Sequence, residues 1–414
     1  MINKEEIVRW AESLEKTIIV HRRKVHQYAE LGGREYKTSQ YICGYIEKLG
    51  LPYERVTDTA VLATLDTGRQ GPHIALRADI DALPVNESIK NLRHERCCRS
   101  EQVDTCHACG HDAHTAMLLG SMELLCNLKE RLNGTVYFCF EAGEENRASY
   151  KQMLEALEKR TVDTVWGIHV YAALESGKIG IRSGACMAGS GRIDITVHGK
   201  TGHGSRPDLA INPVCAAAAI VNNIPSVLVN QLNVEQTVTF GVTSIQGGET
   251  FNVFPESAKI LGSMRFFNLE EGKKALAIVR SVAFHIGEVY KCRVEFAPVM
   301  EDIMLPVIND EGMAQYARNA IKELYPHNEV VSDDFPVFYA SETFSNYSNK
   351  YPGVFALLGI KNPDYGSGAE HHNEKFDIDE NVLKLGVEIT VKYVTFLMEK
   401  GKGEIAENEK INDN

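Results

Sequence analysis

The sequence predicts an α/β protein whose sheet-bearing domain is split by a smaller inserted domain, and three observations lead there. Short apolar runs at Val61–Leu65, His73–Ala78, Thr135–Phe140 and Thr164–His169 alternate with helical periodicity at Thr115–Leu132 and Tyr150–Leu157, a pattern that builds a largely parallel central sheet. From about residue 190 the order becomes strand Arg192–Val197, helix Asn212–Leu228, strands Gln236–Ile245 and Ala258–Phe266, helix Glu270–Glu288 and strand Cys292–Phe296. That is the ferredoxin-like βαββαβ order. Beyond Pro306 the helical patterns return at Glu311–Leu324 and Glu380–Met398, with a strand at Gly353–Leu358 between them. The expected organisation is a discontinuous domain formed by residues 1–187 and 304–414, with a satellite domain at residues 188–303.

Two helices open the chain, the first marked by Ile7, Trp10, Leu14, Ile18 and Val25 near a 3.6-residue period, the second at Thr38–Leu49. At 414 residues the chain exceeds the size at which one hydrophobic core keeps growing, so two domains are expected on length alone. Lys and Arg number 44 against 56 Asp and Glu, a net charge of −12 that argues against nucleic acid or an anionic membrane as partner. The N-terminal residues lack a secretory pattern, and no apolar run is expected to reach the roughly 18 to 20 residues that span a bilayer. Ten cysteines are scattered through helix-like and strand-like stretches, so free thiols and a cytoplasmic location are expected. Glu404–Asn414 reads as a frayed polar tail.

Cys109, His111, Glu145, His169 and His372 combine a soft thiolate, imidazoles and a carboxylate, which suits zinc, manganese or a similar transition-series cation. Cys109 and His111 precede the helix expected near Thr115, while Glu144-Glu145 and His169 each follow a strand. Ligands of open α/β sheets gather at the carboxyl ends of strands, so these separate segments can converge there. The adjacent glutamates can divide labour, with Glu145 on metal and Glu144 as general base toward water. Each feature also has a plainer meaning. His169 alone reads as a structural histidine, and Glu144-Glu145 as a charged helix start. Cys106-His-Ala-Cys109 also fits a redox dithiol, or half of a closed zinc site with Cys97 and Cys98. A non-catalytic zinc-binding or redox protein of that kind would leave His111, Glu145 and His169 without a role.

The motifs occur in a recognisable order: His26-Gln-Tyr-Ala-Glu-Leu31, Leu76-Arg-Ala-Asp-Ile-Asp-Ala-Leu-Pro84, His107-Ala-Cys-Gly-His-Asp-Ala-His114, Glu144-Glu145, Gly167-Ile-His169, Gly199-Lys-Thr-Gly-His203, Asn252-Val-Phe-Pro255, Met264-Arg265 and His371-His-Asn-Glu-Lys-Phe376. Nearly end to end, the chain resembles the aminoacylase and carboxypeptidase superfamily of di-metal hydrolases. Within it the likeness is to the branch of hippurate, auxin-conjugate and aminobenzoyl-glutamate hydrolases and N-acetyl-diaminopimelate deacetylases.

The resemblance implies that Cys109, His111, Glu145, His169 and His372 hold two divalent ions per subunit, zinc or manganese, with cobalt and nickel also accepted. His372 is preferred to His371 because the family's ligand stands four residues before the aromatic, here Phe376. Glu144 becomes the proton shuttle and Asp79 a carboxylate that orients a ligand. His107 and His114 become support rather than ligands. In the satellite, the resemblance gives His203 the developing oxyanion to stabilise, within its own chain or across a dimer. Asn252 and Arg265 hold the substrate's carboxylate, a task suited to the arginine fork. The implied activity is hydrolysis of an N-acyl or N-aroyl amino acid, with a dipeptidase or carboxypeptidase as the alternative, by a homodimer paired through the satellite. The chain departs from the family pattern at Glu141-Ala-Gly143, where Gln-Pro-Ala is common, at Ala29 and at Thr343. Glu141 is expected to raise metal affinity or repel an acidic substrate, and the tail His372-Asn-Glu-Lys-Phe-Asp377 looks closest to the aminobenzoyl-glutamate branch.

Overall fold

The computed structural model describes residues 2–326, 330–332 and 337–400. The tail Glu404–Asn414 lies outside them. The chain divides into two compact units, one of Met1–Gly184, Ile308–Pro336 and Asn346–Asn414, the other of Ala185–Val307 and Val337–Ser345.

The larger unit is built on an eight-stranded sheet whose order is Tyr53–Arg55, Val61–Asp66, Thr135–Glu141, His73–Asp79, Thr164–Glu175, Gly353–Lys361, Ile179–Gly180 and Val331–Ser332. Its four central strands run parallel. Antiparallel pairs flank them, so the sheet is parallel at its centre and mixed overall. Thr135–Glu141 is buried at every residue, the continuous apolar pattern of a strand covered on both faces. Helices Lys4–Tyr28, His111–Asn127 and Leu383–Lys400 pack against one another. His111–Asn127 is buried nearly all round, as a helix enclosed by its neighbours must be, with the polar His111, Asp112 and His114 gathered in the first turn.

Two boundaries differ from the sequence expectation, and both bear on the site. The helix expected near Thr115 begins at His111, because Gly110 takes a φ of 95° and starts the helix there. The strand expected to stop at His169 continues to Glu175, paired with Gly353–Lys361, so His169 lies inside a strand rather than past its end.

The smaller unit has four antiparallel strands in the order Val238–Gln246, Ser257–Phe266, Gly189–His198 and Arg293–Phe296. With helices Pro213–Gln231 and Leu269–Val289 between them, this is the βαββαβ arrangement. Ile193, Ile195 and Val197 on the middle strand pack with Ala216, Ile220 and Ile224 of one helix and Ala275, Val279 and Ala283 of the other. Pro213–Gln231 is long and apolar enough to cross a bilayer by composition, contrary to the expectation of no such run. Its buried residues instead belong to this unit's core. Val337–Ser345 joins the same unit, although sequence placed it in the second catalytic segment. The Ala188 N–H donates to Phe338 O at 3.0 Å and to Ala340 O at 3.1 Å, while Phe338 N–H donates to Cys186 O at 3.0 Å.

In the larger unit the Tyr325 hydroxyl donates to Glu388, which is buried. Burial pushes the Glu388 carboxyl up from 4.5 to about 7, with Glu12 and Glu15 adding to the rise and the Tyr325 hydrogen bond and Lys384 opposing it. The folded state therefore holds this proton more tightly than the unfolded chain. Its contribution is full below about pH 4.5 and is lost as pH rises through about 7. Glu388→Gln should remove this dependence, so that stability measured against the unaltered protein improves between pH 5 and 7 by on the order of 1–3 kcal/mol. Paired denaturation curves at several pH values check it, and parallel curves would contradict it.

Candidate metal centre

Two strand ends and one helix start supply the core of the site. Register places Asp79 beside Glu141 at the carboxyl ends of neighbouring parallel strands. The chain past Glu141 turns through Gly143 to Glu144 and Glu145, and the chain past Asp79 reaches Asp81 two residues later. Between Cys109 and His111, Gly110 is required twice over. Its φ is left-handed, and a Cβ there would stand 2.3 Å from Val170 Cγ2.

Donor atoms of Cys109, His111 and Glu145 all lie within 4.8 Å of one another. The proton positions on the imidazoles follow from their partners. His111 Nδ1 lies 3.0 Å from Asp81 Oδ1, an acceptor, so Nδ1 carries a proton and Nε2 is the nitrogen left to face a cation. His169 Nδ1 donates to Val170 O at 2.6 Å, which likewise leaves the lone pair on Nε2, 3.7 Å from Cys109 Sγ. His111 Nε2 and Glu145 Oε1 face each other at 3.9 Å, both atoms are shut off from solvent, and that oxygen lies 3.2 Å from His372 Nε2 without hydrogen-bond geometry. A pair of electron-rich, desolvated atoms at that spacing is costly unless a cation lies between them, so the residues fit a divalent ion.

The tandem histidines divide. His371 Nε2 accepts the Ala172 N–H at 3.2 Å, which puts its proton on Nδ1, 3.9 Å from Cys109 Sγ. His372 Nε2 lies 3.2 Å from Glu145 Oε1, with the ring half exposed. The His372 backbone takes a φ of 64°, uncommon for a residue with a side chain, and its N–H is tied to Ala108 O at 2.8 Å.

Asp79 is fully buried. Burial alone would raise its carboxyl, but His111, His114 and Arg77 hold it well below the usual carboxylate range. Its closest imidazole is His114, whose Nδ1 donates to Asp79 Oδ1 at 2.6 Å while Nε2 accepts the Val170 N–H at 2.9 Å. Both His114 nitrogens are therefore engaged, although Asp79, His111, His114 and His169 also cluster at metal-like spacing. His107 is buried with neither ring nitrogen hydrogen-bonded, and burial lowers its pKa to about 3.

Sequence reading passed over Asp81. Its Oδ1 orients His111 and its Oδ2 accepts the Glu145 N–H at 3.0 Å, so one carboxylate joins two of the expected ligands. The available signal was a second aspartate two residues after Asp79. Glu141, expected to disturb metal or substrate, is instead fully buried, paired with Arg77 at 3.1 Å and hydrogen-bonded by the Tyr347 hydroxyl. The closed-zinc alternative finds no geometry. Among the described residues no metal-like cluster includes Cys97, Cys98 or Cys106, and Cys98 and Cys97 point to Arg23 O and Glu380.

In the smaller unit His203 and Asn252 are neighbours. His203 pairs with Val253 across a two-stranded ladder, and the Gly204 N–H donates to Asn252 O at 2.8 Å. Ser205 hydrogen-bonds His203 Nδ1 at 2.8 Å, and both His203 and Asn252 are exposed. Arg265 lies on Ser257–Phe266, opposite Ser190 and Thr239.

A thiol, imidazoles and a carboxylate gathered around strand ends and one helix start, with a second glutamate in the same turn, suit a metal-dependent hydrolase. The profile of the peptidase family M20/M25/M40 matches residues 75–395, and the chain belongs to that family. Thermostable carboxypeptidase 1 of Saccharolobus solfataricus is 34% identical over 388 residues, covering 92% of this chain and 95% of the relative. An N-acetylcysteine deacetylase of Bacillus subtilis is 31% identical over 385 residues, covering 92% and 97%. Among solved structures, a Bacillus subtilis dinuclear metal binding peptidase of the M20 family superposes with a TM-score of 0.78 at 28% identity, over 94% of this chain and 99% of that one.

Asp81→Ala should weaken metal binding by about 10- to 100-fold, the usual effect of losing a partner that orients a ligand. Competition with a chromophoric chelator measures it, and unchanged affinity would remove Asp81 from the site.

Proposed function

We propose that the chain hydrolyses the amide bond joining an acyl or aroyl group to an amino acid, releasing a carboxylic acid and a free amine. The observation that carries this reading is the buried pair His111 Nε2 and Glu145 Oε1, with Glu144 next to it in sequence and itself buried. Cys109, His111, Glu145, His169 and His372 would hold two divalent ions, zinc or manganese, with cobalt or nickel as substitutes. The engaged lone pair of His371 favours His372 over it. When bound, the ions supply a Lewis acid for the scissile carbonyl and acidify water.

The residues supply the rest. Glu144 takes a proton from the attacking water and delivers it to the leaving nitrogen. Asp81 holds His111 in the tautomer whose Nε2 can coordinate, and Asp79 fixes His114 against the strand bearing His169. His203 donates to the developing oxyanion, while Asn252 and Arg265 bind the substrate's carboxylate. The pairing of His203 with the Asn252 segment supports assigning both to one substrate-facing loop region.

The substrate class rests on the names of relatives: the deacetylase of Bacillus subtilis and an IAA-amino acid hydrolase of Arabidopsis thaliana, 32% identical over 378 residues, covering 90% of this chain and 85% of that one. The thermostable carboxypeptidase keeps peptide hydrolysis as a second reading. A panel of N-acetyl amino acids, hippurate, aminobenzoyl-glutamate and dipeptides separates them, and turnover of dipeptides alone would overturn the first. Glu144→Gln should lower kcat by at least about 10²-fold while metal analysis still finds about two ions per chain. Retained turnover would sink the mechanism.

A cytoplasmic location fits ten cysteines that are all free. We assign the active form as a homodimer paired through the smaller unit. Val238–Gln246 is an edge strand with alternating exposure, and Pro213–Gln231 leaves Pro225 and Val229 uncovered beside it in sequence order. Light scattering should return twice the chain mass of 46.0 kDa. A monomer at working concentration would refute the assignment.

A further inference from the structure

A turn is fixed by whatever satisfies its amides, and the turn that carries Glu144 is held from an unexpected direction. Glu35, 108 residues earlier, is fully buried, and its Oε1 accepts the Gly143 N–H at 2.7 Å. The same oxygen accepts the Gly33 N–H at 2.9 Å. On the other side of Glu144, the Glu145 N–H donates to Asp81 Oδ2 at 3.0 Å. Glu144 thus stands between two amides, each gripped by a buried carboxylate.

The turn has little freedom of its own. Gly143 has a φ of 63°, and a Cβ there would lie 2.5 Å from Ala148 Cβ and 2.6 Å from Asn146 Oδ1. Ala148 N–H closes back on Gly143 O at 2.8 Å, and Asn146 Nδ2 donates to Gly32 O at 2.8 Å. The segment 32–35 and the turn are therefore docked along their length.

Glu35 is not occupied with its own helix. It directly precedes Tyr36–Lys48 yet makes no side-chain cap, the ordinary use of an acidic residue at that place. Glu30 does that work, accepting the Lys37 N–H at 3.0 Å, the Thr38 N–H at 2.9 Å and the Thr38 hydroxyl at 3.1 Å. Burial and the nearby charge of Asp81 push the Glu35 carboxyl up from its ordinary value, so the group is kept in place against an electrostatic penalty.

We propose that Glu35 is a positioning residue for the general base, holding the Gly143 amide so that Glu144 presents its carboxylate in the reactive orientation. The inference rests on Glu144 being the base. Glu35 belongs to neither cluster of metal-like donors, so its loss should act on turnover rather than on binding.

Glu35→Ala should lower kcat by about 10- to 100-fold. KM should stay within about twofold and metal content near two ions per chain, because Glu145, in the same turn, keeps its own N–H tie to Asp81. Glu35→Gln keeps an oxygen able to accept both N–H groups and should restore most of the lost turnover. Three outcomes overturn the proposal: kcat of the alanine variant within twofold of the unaltered enzyme, loss of turnover that follows loss of metal or of folded protein, or a glutamine variant as impaired as alanine. Glu144→Gln, measured alongside, separates the two ideas. If it stays active, the base assignment fails. If it is inactive while Glu35→Ala is not, only the role of Glu35 fails.

Discussion

The Asp81 carboxylate is the interaction on which the rest of the site depends. With one oxygen it sets the proton of His111, and with the other it holds the amide of Glu145. These residues come from a helix start and from the turn after a strand, elements separated in sequence and brought together by the sheet. A carboxylate can serve both because it accepts hydrogen bonds at two oxygens whose lone pairs point in different directions. The spacing of His111 Nε2 and Glu145 Oε1 is a consequence of that bridge.

Around it the unit buries several charged groups that pair with one another. Arg77 lies between Asp79 at 2.7 Å and Glu141 at 3.1 Å, with all three side chains closed off from solvent. Arg22 Nε reaches Asp112 at 2.8 Å, and His26 places one nitrogen on Asp112 and the other on Glu87, at 2.7 and 2.8 Å. Burial and Arg22 would push His26 down, yet the hydrogen bonds to Asp112 and Glu87 hold its pKa above the ordinary value. Removing one member of such a group strands another in low dielectric, at a cost of about 3–5 kcal/mol. Asp112 directly follows His111, so this second network anchors the helix start from behind.

Much of this was legible in the sequence because the chemistry sits in short, composition-rich motifs. Cys109, His111, Glu144 and Glu145 could be singled out as residue types before any strand was placed, and the alternation of strand and helix patterns gave the two-unit plan. What stayed hidden depended on pairing over long separations. Nothing local distinguishes Asp81 from Asp79, and their roles diverge only when His111 and His114 arrive from the next helix. Glu141 looked like a free charge because Arg77 reaches it from the neighbouring strand and Tyr347 from a short helix 206 residues later. Strands of two residues, such as Ile179–Gly180 and Val331–Ser332, are too short to show a period. The helix start was misplaced by four residues because a glycine's φ cannot be read from its neighbours.

Gly110 has a bearing on how this centre could be redesigned. Cys109 and His111 stand on either side of it, and their donor atoms lie within 4.8 Å of each other. The residue between them allows no latitude, since any side chain would strike Val170, on the strand that also presents His169. The spacing of the two donors is thus locked by a steric contact with no chemical role. A repurposed site that widened or narrowed this interval would have to remodel the strand face first.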